Sequence, residues 1–332
     1  MLIPLVVLSI GFGLANGVHD AGNAIAAPIV TRAMRPGSAI SLSAACHVAG
    51  ALAIGTAVAA TVGSIIAVPN QDLSYVLGAA TTGALIWSLV TLRFGIPCSS
   101  GHCLVGALTG AALAAGGPSS VHWGGLDGLR PVGVIGSLLW LVASTAVVLP
   151  LTLLAVMAAH RALMRASRAV LSPIRRGEMI TTAALSFAHG SNDAQKTMGL
   201  LGLALLASRR TSHFSVPLWV ECVAAAALTA GTLLGGWPVV RTLGKGIYPL
   251  RTLEGLVSQG SASLVVLVAS LAGAPISTTD VVAPAVVGVG VGERWRHIRW
   301  RVVGLIALAW LVTLPVSAAL AAASLPVWRA IS

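Results

Sequence analysis

Two short runs in this chain set carboxylates and amides inside oily sequence. The first is Asn16-Gly17-Val18-His19-Asp20-Ala21-Gly22-Asn23-Ala24. The second is His189-Gly190-Ser191-Asn192-Asp193-Ala194-Gln195-Lys196. An ionisable group at a bilayer centre costs about 3 kcal/mol on insertion scales, and its retention points to an ion or a polar substrate. Asp20 and Asp193 can accept a hydrogen bond from a protonated oxyanion such as hydrogenphosphate, ligate a coupling cation, or carry a proton. Asn16, Asn23, Asn192 and Gln195 add neutral donors and acceptors. Lys196 follows Asp193 by three residues, on the same helical face, where it can pair with Asp193 or attract an anion. The plain alternative is a polar pin between helices.

Two hydroxyl clusters form the other half of the chemistry: Ser99 and Ser100 after Pro97, and Ser277, Thr278 and Thr279 after Pro275. A residue before proline avoids the helix, so each cluster marks a break and the start of a new helix. The first turn of that helix offers unpaired N–H groups and partial positive charge, which suits an anion. Ordinary capping explains either cluster alone. Two facing clusters would hold a tetrahedral oxyanion. Asp280 closes the second cluster and joins Asp20, Asp193, Asn16, Asn23, Asn192 and Gln195 as a candidate for the coupling ion. His19, His47, His102 and His189 also lie in apolar sequence and can relay protons, although packing explains most such histidines. No metal site is assigned with certainty; a sodium ion could sit among the coupling-ion candidates.

The elements that position these groups are membrane helices. The chain has 332 residues, 56% hydrophobic and 9% charged, with mean hydropathy +0.92. Soluble domains carry about 25% charged residues, so the composition implies an all-α integral membrane protein. Apolar segments fall at 1–30, 38–66, 74–92, 97–116 and 131–157, then 179–207, 214–236, 252–272, 273–291 and 300–324. The segments at 1–30 and 179–207 are expected to break at their motifs. Those at 97–116 and 273–291 read as half-helices or re-entrant hairpins. The run 1–15 has no basic start and leads into the first motif, so it does not read as a cleaved signal.

The features recur in the same order in both halves. Gly17 and Asp20 match Gly190 and Asp193, and Gly55-Thr56 matches Gly231-Thr232. Pro97-Cys98-Ser99-Ser100 matches Pro275-Ile276-Ser277-Thr278, and Gly106 and Gly288 follow. An inverted repeat is expected: residues 1–157, a basic cytoplasmic linker at 158–178, and an upside-down copy at 179–332. Basic residues gather on the cytoplasmic side. The linker arginines 161, 165, 168, 175 and 176, with Arg32, Arg35, Arg93, Arg241, Lys245, Arg251, Arg294, Arg296, Arg299 and Arg301, then lie inside. Arg130, Arg209, Arg210 and Arg329 lie outside, as do both termini. The net charge of +11 follows this topology pattern and shows no nucleic-acid motif. The four cysteines read as small buried hydrophobes. Asp72, Asp127, Glu178 and Glu293 sit at segment ends and are expected to be solvated. Walker A, HExxH and nucleophile-elbow patterns are absent from the sequence.

These residues carry a resemblance. The two acidic motifs, the run Ser186 to Lys196, Gly231-Thr-Leu-Leu-Gly-Gly-Trp237 and Ala274-Pro-Ile-Ser-Thr-Thr279 resemble the PiT family of inorganic phosphate transporters along nearly the whole chain. The resemblance implies phosphate symport across the cell membrane, driven by a proton or sodium gradient through alternating access, with about 10–12 transmembrane elements. No cofactor is implied, and the partners are phosphate, the coupling ion and the lipid bilayer; a homo-oligomer is a possible assembly. The chain departs from the family at Asp280, where His is frequent, at Gly101-His102, where a hydroxyl is common, and at His47, where many members have an acid or Asn. These departures leave the coupling ion open. The rivals are a sulfate permease of the same fold and a membrane-embedded enzyme acting on a phosphorylated lipid. Carboxylates facing the anion favour hydrogenphosphate, which has a proton to donate, over sulfate, which has none.

Overall fold

The computed structural model describes residues 1–127, 130–165, 167–235 and 246–331. Its helices in the first half are α1 (Leu2–Val30), α2 (Pro36–Ala53), α3 (Ala57–Gly63), α4 (Leu73–Phe94), α5 (Ser100–Gly116) and α6 (Gly133–Leu163). The second half has α7 (Leu171–Ala207), α8 (Leu218–Leu234), α9 (Thr252–Leu271), α10 (Thr278–Arg294) and α11 (Trp300–Ile331). A short hairpin, β1 (Gly125–Asp127) and β2 (Arg130–Val132), precedes α6. Among the described residues six helices (α1, α2, α4, α6, α9 and α11) are long and apolar enough to cross a membrane. The protein is a multi-pass membrane protein. Arg241, Lys245 and the end of the Gly231–Trp237 run lie outside the described residues.

Both acidic motifs sit within unbroken helix, which corrects the expected breaks at 1–30 and 179–207: α1 runs through Asp20 and α7 runs through Asp193. The physical reason is that a continuous helix satisfies its own backbone hydrogen bonds away from water. The motifs contribute polar side chains and leave the backbone intact. Their glycines serve helix crossing. A Cβ on Gly17 would lie 2.1 Å from the Leu228 carbonyl oxygen, and one on Gly231 would lie 2.2 Å from that of Leu14. The same pair of approaches recurs between α2 and α7: Gly190 against the His47 carbonyl at 2.2 Å, and Gly50 against that of Phe187 at 2.0 Å. Each long motif helix therefore crosses the second helix of the other half, as an inverted repeat requires. The crossings pair Gly231 with Gly50, not with Gly55. Gly55 instead ends α2 with φ +81°, so the apolar segment 38–66 is two helices.

The expected half-helices are present. Gly95 closes α4 at φ 64°, and the chain passes Pro97 before α5 begins. Gly273 turns at φ +74°, and the chain passes Pro275 before α10 begins. Left-handed backbone at these points needs glycine. The two breaks abut, because a Cβ on Gly101 would stand 3.3 Å from the Pro275 carbonyl oxygen. Each half-helix then packs along the last helix of the other half, α5 on α11 and α10 on α6. Gly110 and Gly288 stand equally far after Ser99 and Ser277, and each abuts a carbonyl there, Ala318 and Leu149. Gly110, rather than Gly106, is thus the counterpart of Gly288.

Helix also invades the basic linker, where α6 continues to Leu163 and α7 starts at Leu171. This early start overturns one expectation. Glu178 is fully buried, not solvated, and accepts a hydrogen bond from Thr31 Oγ1 at 2.8 Å. As part of α7 it faces α9, where Gly255 leaves room for its carboxylate.

Candidate functional site

Mid-helix α1 and α7 bring Asp20 and Asp193 beside the first turns of α5 and α10. Asp20 Oδ1 accepts from Thr279 Oγ1 at 3.0 Å and from Asn23 Nδ2 at 3.0 Å. Its Oδ2 faces Ser100 Oγ at 3.3 Å. Ser100 Oγ is also 3.4 Å from Asp193 Oδ1, so one hydroxyl bridges the two motifs. Asn23 Nδ2 reaches Thr278 Oγ1 at 2.8 Å and Thr279 Oγ1 at 3.0 Å. Lys196 Nζ pairs with Asp193 Oδ1 and donates to Ser100 Oγ at 2.8 Å. All of these side chains are buried. Both halves therefore contribute to one polar centre of carboxylates, hydroxyls and an ammonium.

A second group adjoins it. Ser99 Oγ donates to Asp280 Oδ2 at 2.7 Å. His102 Nδ1 lies 2.7 Å from the same Ser99 oxygen and 3.3 Å from Asp280 Oδ2. His102 and Asp280 hold matching places in the two clusters, four along from Cys98 and Ile276, so the breaks meet through them. The trio is not a nucleophile relay. In a relay the serine and the carboxylate use opposite ring nitrogens; here both contacts use Nδ1. Ser277, the N-cap of α10, caps nothing with its side chain. Its buried hydroxyl has no hydrogen-bond partner among the described residues. Ser99, by contrast, accepts from the His102 amide at 3.2 Å.

Three sequence candidates lie apart from this centre or are already occupied. Gln195 Oε1 accepts from the Val58 and Ala59 amides at 2.8 and 3.2 Å, capping α3, and its Nε2 donates to the Ser191 carbonyl. Its oxygen is engaged by those two amides. Asn192 Nδ2 donates to the Ala274 carbonyl at 3.0 Å and to Ser270 Oγ at 3.1 Å, bracing the second break. Asn16 is buried, and neither polar atom of its side chain bonds to the cluster.

His189, by sequence one of four histidines able to relay protons, joins the centre directly. Its Nε2 is 3.0 Å from Asp193 Oδ2. One ligand atom each from Asp20, His189 and Asp193 lie within 4.8 Å of one another. The available signal was its place one turn before Asp193. Behind it, the His47 ring stacks edge-on at 4.5 Å, held by Thr232 at 3.0 Å and Ser43 at 3.3 Å.

Two inverted helical halves around a buried centre of half-helix N-termini, carboxylates and hydroxyls define a secondary transporter of small ions. The phosphate transporter family model matches residues 16–171 and 143–321, and the chain belongs to that family. It is 37% identical over 324 residues to a probable low-affinity inorganic phosphate transporter of Rhizobium meliloti, covering 97% of this chain and 95% of that protein. A protein of the same description from Mycobacterium bovis is 37% identical over 326 residues, 96% of this chain and 75% of its own length. A solved chain described as the sodium-dependent phosphate transporter shares the fold, with TM-score 0.82 over 100% of this chain and 99% of that one, at 23% identity.

Proposed function

We propose that the protein is a symporter that moves inorganic phosphate across the cell membrane together with a cation, sodium or proton, by alternating access. The observation that carries the mechanism is the direction of the hydroxyl bonds. Thr279, Ser100 and Ser99 sit at half-helix N-termini, where an anion belongs, yet their protons go to Asp20, Asp193 and Asp280. A hydroxyl has one proton to donate. While it serves a carboxylate it cannot serve phosphate. A cation or proton taken up by the carboxylate releases that hydroxyl to the anion. Cation and phosphate then bind together better than either binds alone, which is the thermodynamic requirement for coupling.

Charge supports the same reading. Three buried carboxylates face one ammonium, Lys196. A phosphate dianion added without a cation would raise the uncompensated negative charge in a buried site, at heavy cost. Ser99, Ser100, Ser277, Thr278 and Thr279 are assigned to phosphate, with Asp20, Asn23, Asp193, His189 and Asp280 serving its protons or the coupling cation. The halves are taken as 1–157 and 179–332, with the linker 158–178 cytoplasmic. Nothing in the comparisons favours the sulfate permease, and the Ser99–His102–Asp280 geometry gives the lipid enzyme no support. The test is radiolabelled phosphate uptake into proteoliposomes under separate sodium and proton gradients. Absence of uptake under both would reject the proposal.

A further inference from the structure

Asn23 and Lys196 hold the same place in the two halves. Each follows its motif aspartate by three residues, so each side chain lies over that aspartate on one helix face. Asn23 brings its amide to Asp20 Oδ1 at 3.0 Å and carries a neutral oxygen that can ligate a cation. Lys196 cannot ligate a cation, because its head group is one. The ammonium is fully buried, pairs with Asp193 Oδ1 and donates to Ser100 Oγ at 2.8 Å. A lysine head group is a compact point charge with three donors, close in charge and reach to a small cation set among oxygens. A mobile cation at Asp193 Oδ1 would have to share that oxygen with the ammonium, and like charges in a buried site repel strongly.

We propose that Lys196 is a tethered coupling cation: its ammonium does permanently for Asp193 what a mobile cation does for Asp20. The inference rests on the symport reading above and adds a stoichiometry to it. The first motif, with Asp20, Asn23 and Thr279, loads and unloads a cation in each cycle. The second motif is loaded by the chain itself and releases nothing. One phosphate therefore travels with one mobile cation fewer than it would if asparagine stood at both positions. Ser100 follows the same logic. It accepts from Lys196, while its one proton lies between Asp20 and Asp193; with Asp193 already served by the ammonium, only the cation at Asp20 is needed to turn that proton to the anion.

The experiment is a zero-flux measurement in proteoliposomes holding the full chain. The phosphate gradient is opposed by a set membrane potential until net uptake stops, and the balance point gives the charge moved per phosphate, whichever cation carries it. Lys196→Asn should move one more positive charge per phosphate than the parent chain, and its uptake should depend more steeply on cation concentration. Lys196→Arg, which keeps the charge, should retain the parent ratio. An unchanged ratio in Lys196→Asn with phosphate affinity reduced tenfold or more would overturn the proposal and make Lys196 an anion ligand. An unchanged ratio with unchanged affinity would overturn it as well. Lys196→Gln serves as the second neutral variant if the asparagine variant does not fold. The parent chain is its own check, since two mobile cations bound at the acidic motifs would refute a tethered one. Titration of the detergent-solubilised parent and variants with sodium chloride alone, and with acid alone followed by proton uptake, keeps the two proposals apart. A parent chain that transports no phosphate sinks the symport reading, whereas equal binding by parent and Lys196→Asn of the cation that drives uptake, sodium or proton, sinks this one.

Discussion

Thr279→Val tests the exchange of hydroxyl bonds directly. Valine keeps the shape of threonine and removes only the hydroxyl, which donates to Asp20 at 3.0 Å. Without a cation the parent hydroxyl serves Asp20, so its loss changes phosphate affinity little. With the carboxylate neutralised, the parent hydroxyl serves phosphate, and its loss removes one hydrogen bond to a charged partner. Such a bond is worth about 1.5–3 kcal/mol, or roughly ten- to hundredfold in affinity. The coupling between cation and phosphate should weaken by that factor, and linkage demands the same loss in both directions. The assay is phosphate binding or uptake at low and at saturating cation. A rise in the half-saturating phosphate concentration only at saturating cation is the expected result. An equal rise at both cation levels would mark Thr279 as a simple ligand. No change at either would leave it only a place in the first turn of α10. Both results refute the exchange mechanism.

The other predictions address the same centre and its frame. Asp20→Asn and Asp193→Asn should each abolish uptake; Asp20→Asn should leave a protein of normal monodispersity in detergent, because neutralising a buried carboxylate spares the fold, whereas Asp193→Asn should also lower the thermal midpoint, because it strands the buried Lys196 ammonium; normal transport by both would make these residues structural pins. Ser277→Ala should weaken phosphate binding about tenfold or more without lowering the melting temperature, since its hydroxyl makes no internal bond; Thr278→Ala should also weaken binding, the double variant being worse, and unchanged binding in the double variant would remove this cluster from the site. Arsenate should compete with phosphate and sulfate should not, because the carboxylates need a proton from the anion; strong inhibition by sulfate with little by arsenate would mean the acids face only the cation. Gly190→Ala places a Cβ 2.2 Å from the His47 carbonyl and should cost about 1–3 kcal/mol, read as a lower thermal midpoint, whereas Gly37→Ala, with open space around it, should not.

The sequence determined by itself whatever depends on spacing along one helix or on residue chemistry. Apolar runs, the proline of each break, and the placing of Lys196 to pair with Asp193 were all legible. A helix returns to the same face every three or four residues, and backbone in a membrane has few options besides the helix. The motif helices run unbroken where the sequence predicts a break. Polar side chains in oily sequence resemble a backbone break, although the backbone there is continuous. Only the tertiary structure decided contacts between helices distant in sequence. It sent Gln195 to cap α3, Asn192 to brace the second break and Glu178 into the core. It brought Ser100 to both aspartates and His102 to Asp280. Each of these outcomes depends on how two helices cross, and the crossing is set by close backbone approach at Gly17, Gly50, Gly190 and Gly231. Periodicity within one helix carries no information about which helix will face it; that follows from the packing of the whole bundle.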